Sequence, residues 1–209
     1  LCLATGRLDE AGRILGEWAG AVSEGMLPNL FPDGKAQPEF NSVDASLWYI
    51  IAVNDFLQAS QTSGGKLFEW QKKALQQAVE AILTGYSRGT RYGIHTDQDG
   101  LLAAGVPGVQ LTWMDSKIGD WVVTPRIGKP VEVQALWLNA LWIASQFSTR
   151  WKEPFAHGRE IFATRFWNEQ RGFLYDVVDV DHQSGKVDGS LRPNQILAVG
   201  GLPISIIEG

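Results

Sequence analysis

The chain of 209 residues is 44% hydrophobic and 20% charged, which places it among globular domains with a sizeable core and excludes a disordered or fibrous chain. Its formal net charge is −5, and the basic residues are scattered without a stripe, which excludes a nucleic-acid footprint. No apolar run is long enough to span a bilayer and no signal peptide opens the sequence, so the expectations are no membrane partner and cytoplasmic residence.

The opening LCLATG reads as the tail of an earlier apolar helix, so the sequence is expected to be a portion of a longer chain, clipped at both ends. Cys2 is the only cysteine, which excludes an intrachain disulfide. A first helix is expected up to about residue 25, with Leu8, Ala11, Ile14, Leu15, Trp18 and Val22 on one face and Asp9 and Glu10 in the first turn. Residues 25–42, rich in proline and glycine, read as a loop. A second helix starts near Ser42 and is apolar nearly all round, which marks it as buried on several sides; the SGG at 63–65 ends it. A third, amphipathic helix over 66–89 carries the stripe Leu67, Trp70, Ala74, Leu75, Ala78, Ile82 and Leu83.

From residue 91 to 126 the helical period disappears, as in a long functional loop or a small β-insert. Helix returns at about Pro130, a residue suited to a first turn, and buries Val133, Leu136, Trp137, Ala140, Leu141 and Ala144. A fifth helix over 152–170 carries Phe155, Ile161, Phe162, Phe166 and Trp167. RGFLYDVVDVD reads as a short strand and HQSGKVDG as a turn-rich loop; RPNQILAV then opens a sixth helix that breaks at Gly200 and Gly201. Buried helices that alternate with decorated loops suggest one domain over 1–209, all-α, built of helix pairs arranged as an α/α toroid with short β-hairpin inserts; a helix solenoid is the alternative.

The chemistry concentrates in VQLTWMDSKIGDWVVTPRIGKPVEV, residues 109–133. Asp115 follows an apolar-aromatic strand beside Trp113. An indole neighbour is expected to desolvate the carboxyl and raise its pKa, as a general acid requires; a capping or loop aspartate is the plainer reading. Glu132 lies in a first helical turn, where the helix dipole alone favours it. Asp120, beside Trp121, either orients a sugar hydroxyl or closes a turn. Arg126 either clamps a carboxylate such as Glu132 or donates to hydroxyls. Asn41, Asp44 and Trp48 stand at the second helix start, and Arg192 and Asn194 at the sixth; helix capping and a ligand-facing role both fit them. The nine tryptophans are far above the usual share, and indoles serve equally as packing units and as platforms for sugar C–H faces. His95, His157 and His182 lie far apart and no Cys/His spacing suits zinc, so no metal site is expected.

Taken together, EFNSVDASLWYI, LTWMD, TPRIGKPVEVQALWLNAL and SLRPNQILAV, in that order, resemble the amylo-α-1,6-glucosidase family, the C-terminal domain of glycogen debranching enzymes. The resemblance covers most of the chain. It implies an (α/α)6 toroid, hydrolysis of α-1,6-linked glucose at branch points of glycogen or another α-glucan, and inversion at the anomeric carbon, without any cofactor. Inversion uses an acid and a base roughly 6.5–9.5 Å apart on opposite faces of the sugar. The resemblance makes Asp115 the general acid and places Asn41, Asp44, Arg126, Glu132, Arg192 and Asn194 in motifs that line the sugar pocket; Trp48, Trp113, Asp120 and Trp121 are read from the residues themselves as shaping the same sugar site. Glu132 becomes a second carboxylate or an orienting residue. The sequence carries about half the helices of a complete ring, and the family's base-side motif lies beyond RPNQILAV, so the acid is expected without its usual partner. A non-catalytic carbohydrate-binding α/α domain, a helical scaffold that binds protein, and another α/α-toroid glycosidase are the rival readings. The oligomeric state is left open.

Overall fold

The computed structural model describes residues 1–30, 37–62 and 67–207. The expected SGG helix end at 63–65, Lys66, part of the loop over 25–42 and the last two residues lie outside the described residues. The helices are α1 (Leu8–Ala19), α2 (Asp44–Thr62), α3 (Glu69–Arg88), α4 (Val131–Ser145), α5 (Lys152–Phe166) and the single turn α6 (Ile196–Val199).

Four expectations about the helices need correcting. α1 stops at Ala19 because Ser23 and Met26 exchange backbone hydrogen bonds of 2.9 Å in a tight turn. Gly25 in that turn has φ +80, and a Cβ on it would stand 2.6 Å from Gly85 Cα, so only glycine lets this crossing touch α3. Trp70 is not part of the α3 stripe: it is 68% exposed and stacks on Phe68, with ring centroids 6.3 Å apart. Pro130 precedes α4 rather than opening it. α5 ends at Phe166 because Trp167 turns out to pair in a hairpin.

The layers follow from the hydrophobic pattern. α4 is buried along almost its whole length, as is expected of a helix without a polar face. It packs against α2 and α3, against α5, and against α6, while α1 packs on α2 and α3. α2, α4 and α6 thus form an inner row, with α1, α3 and α5 as their outer partners. Buried polar side chains in this row are satisfied by the loops, which fixes the loops in turn. Gln134 donates to Leu102 O and accepts from Leu102 N, both at 2.8 Å, and Trp137 Nε1 donates to Gly100 O at 3.1 Å. Tyr86, from α3, donates to Val43 O at 2.9 Å and holds the start of α2.

The segment between α3 and α4 is a β-insert. Strands β1 (His95–Thr96) and β2 (Leu102–Ala103) pair antiparallel, as do β3 (Lys117–Ile118) and β4 (Trp121–Val122). β5 (Lys129–Pro130) leads directly into α4. After α5, β6 (Trp167–Asn168) pairs with β7 (Phe173–Leu174). β5 also pairs with β8 (Val177–Val178), which pairs in turn with β9 (Val187–Asp188), a three-stranded antiparallel sheet. The expected single strand over 171–181 is therefore two strands with a bend between them.

Candidate active site

The starts of the three inner helices meet the β-insert. Val43 N, at the head of α2, donates to Leu111 O at 2.8 Å. Glu132, in the first turn of α4, and Asn194, just before α6, are linked to the same insert through side chains. Residues that are dispersed in sequence are gathered here because each precedes or opens an inner helix.

Asn41, Asp44, Trp48, Trp113 and Asp115 line one concavity of about 630 Å³. Asp44 is half-buried, and burial pushes its carboxyl above the usual range. The Ser42 hydroxyl, donating at 2.5 Å, and backbone N–H groups near Trp113 and Ala45 offset part of that rise. Asn41 Oδ1 is buried without a partner. Asp115 lines the same cavity from an exposed position, and Trp113 is 58% exposed. The desolvation expected from the neighbouring indole is therefore not found at Asp115; among these carboxyls it falls on Asp44.

Asp120, Trp121 and Arg126 line an adjoining concavity of about 490 Å³. The two share Gly108, Val109, Gln110 and Thr112 as a common wall. Beneath it lies a buried ion network. Arg126 donates to both carboxylate oxygens of Glu132, with Nη2 2.8 Å from Oε2. It also donates from Nε and Nη2 to the two oxygens of Asp176, at 3.2 and 3.0 Å. Asp176 accepts further from Arg192 at 2.6 Å and Asn194 at 2.8 Å. Burial pushes Glu132 above the usual range, against the pull of the Arg126 guanidinium. The structure thus places Arg126, Glu132, Arg192 and Asn194 in one cluster, and Asp176 is its hub. Sequence reasoning missed Asp176. The available signal was an acid flanked by a buried strand, which demands a charged partner.

A second network was also missed. The Lys129 ammonium is 2.8 Å from Asp99, 2.9 Å from Asp179 and 3.0 Å from Asp97. Arg165 pairs with Asp99 and, at 2.7 Å, with Asp179. The ammonium stands where three carboxylates converge, and among the described residues no group of His, Cys, Asp and Glu is placed to hold a metal ion. Gly128 has φ +124, and a Cβ there would lie 2.5 Å from Asp179 O, so glycine permits this close approach of strands. Burial alone would raise the Asp179 carboxyl, but Arg165 and Lys129 outweigh it and hold it down to about 2. A carboxyl lowered in the folded state stabilises above its unfolded value, and that stabilisation is lost as pH falls through the folded value. Asp179→Asn is therefore expected to cost about 2 kcal/mol at neutral pH, with the deficit closing as pH approaches 2. Urea unfolding of both proteins across pH measures it; a deficit that does not change with pH would show that the carboxylate charge is not the cause.

Helix pairs with short hairpin inserts, carrying polar-aromatic clefts over the starts of the inner helices, define a part of an α/α toroid. No helix among the described residues is long and apolar enough to cross a membrane. The chain belongs to the amylo-alpha-1,6-glucosidase family, whose profile matches residues 1–208. It is similar to the glycogen debranching enzyme of Saccharomyces cerevisiae, with 25% identity over 191 residues, covering 68% of this chain and 12% of that protein. The chain thus spans a small part of that relative's length.

Proposed function

We propose that this chain contributes the catalytic acid side of a site that hydrolyses α-1,6-linked glucose at the branch points of glycogen or a related cytoplasmic α-glucan, with inversion. The observation that carries the reading is that Asp115 and Asp44 line one concavity with Trp48 and Trp113 at the start of an inner helix, in a chain of this family. The terminal glucose lies in that concavity. Asp44 and Asn41 accept from or donate to its hydroxyls, and the unpartnered Asn41 Oδ1 gains a hydrogen bond when sugar binds. Asp115 passes its proton to the glycosidic oxygen as the C1–O bond breaks, and water attacks C1 from the opposite face while a general base takes its proton. Glu132 acts as an orienting residue, because both its oxygens already accept from Arg126. Arg126, Asp176, Arg192 and Asn194 fix the insert on the inner helices. No cofactor enters this scheme.

The engagement of Glu132 also favours a second reading, carbohydrate binding without turnover. Glucose release from a phosphorylase limit dextrin by the full-length polypeptide separates the two. Release of glucose that is initially the β-anomer supports the hydrolase; retained dextrin binding with no release supports the binding domain.

A further inference from the structure

The two concavities that share the wall at 108–112 differ in chemistry. The one holding Asp44 and Asp115 is lined by amides, hydroxyls and carboxylates, with indoles at its edge. The other presents Leu111, Met114, Val122, Val123 and the Trp121 indole beside Asp120, Arg126 and Asp181; Trp121 is 62% exposed although it borders a cavity. Consecutive residues divide between them: Met114 lines the apolar concavity and Asp115 the polar one. A donor that protonates a glycosidic oxygen must stand where the sugar being released meets the chain that keeps the oxygen. Asp115 lines the polar concavity and directly follows Met114, which lines the apolar one, so the acid is one residue from the second concavity.

We infer that the apolar concavity beneath the β3–β4 hairpin is the subsite for the α-1,4-linked chain that bears the branch, with Trp121 as its stacking platform. The inference rests on the hydrolase reading above. α-Linked glucosyl units present C–H faces that match an indole, and Asp120, at the hairpin tip, supplies an acceptor for their hydroxyls. The hairpin is held on the shared wall: Gln110 Nε2 donates to Ser116 O at 2.5 Å and Lys117 Nζ to Gly108 O at 3.4 Å. The platform is thereby set at a fixed distance from the acid, and the hairpin selects a chain over a single sugar.

The test uses the full-length polypeptide with Trp121→Ala and Trp121→Phe. Turnover is compared on branched limit dextrin and on α-glucosyl fluoride, which has no chain to fill the second subsite, and maltoheptaose binding is measured by calorimetry. In Trp121→Ala the ratio of kcat/KM on dextrin to that on the fluoride is expected to fall about tenfold, mainly through KM. Maltoheptaose affinity falls with it, and Trp121→Phe restores most of both. Equal losses on the two substrates, or dextrin kinetics and maltoheptaose binding that do not change, would overturn the assignment. If the wild-type protein turns over neither substrate, the hydrolase reading fails on its own; maltoheptaose binding lost in Trp121→Ala would still uphold the chain subsite, and binding retained would sink it.

Discussion

Asp115→Asn is expected to lower turnover of branched dextrin by about two to four orders of magnitude, the usual worth of a general acid. The substitution keeps the size and shape of the side chain and removes the proton donor alone. Asp115 is exposed at the rim of its cavity and takes no part in the buried networks, so the fold has little reason to respond. A control within the same variant isolates the proton. Fluoride leaves without being protonated, so α-glucosyl fluoride should lose far less than dextrin does. Retained turnover of fluoride with lost turnover of dextrin identifies a missing donor. Equal losses on both would mean that Asp115 serves binding or shape, and near-normal dextrin turnover would remove it from the mechanism altogether.

The inner helices were legible in the sequence because their residues repeat one physical demand. α2 and α4 lack a polar face, so each had to be surrounded, and the six α4 positions expected in the core are all buried. The loss of period after α3 likewise marked the insert that carries the hairpins. What the sequence concealed were pairings that depend on distance. Asp176 and Asp179 lie fifty residues from Arg126 and Lys129, and nothing local in FLYDVVDVD names those partners. Trp70 misled for the opposite reason. Its spacing fits a helical stripe, but it stands in the first turn of α3, is largely exposed and stacks on Phe68 instead. Asp115 shows the limit of neighbour arguments: adjacency to Trp113 in the chain says nothing about which face of the loop the indole covers. The cavity that gathers Asp115 with Asp44 could be inferred only from the shared end of the helix pairs.

The Arg126 network supports the largest effect on stability. Arg126→Met removes the only cation among the described residues that is bonded to Glu132, whose side chain is 2% exposed, and leaves that carboxylate buried without it. Breaking a buried pair from one side costs about 3–5 kcal/mol. Asp176 suffers less, because Arg192 and Asn194 still donate to it. The pH dependence follows from the sign of the shift. Burial already raises Glu132 in the folded state, so its contribution is most favourable below the unfolded value and is lost as pH rises through the folded one. Without Arg126 the rise is larger. The deficit of Arg126→Met should therefore be greatest at neutral pH and shrink on acidification, and adding Glu132→Gln should recover most of it. Chemical denaturation of the single and double variants between pH 4 and 7 gives the comparison. A deficit that stays constant with pH, or a double variant no more stable than Arg126→Met, would mean that lost packing and not the stranded carboxylate sets the cost. The same network fixes the loop between the two concavities, so acid should relieve the folding defect of Arg126→Met without returning its turnover.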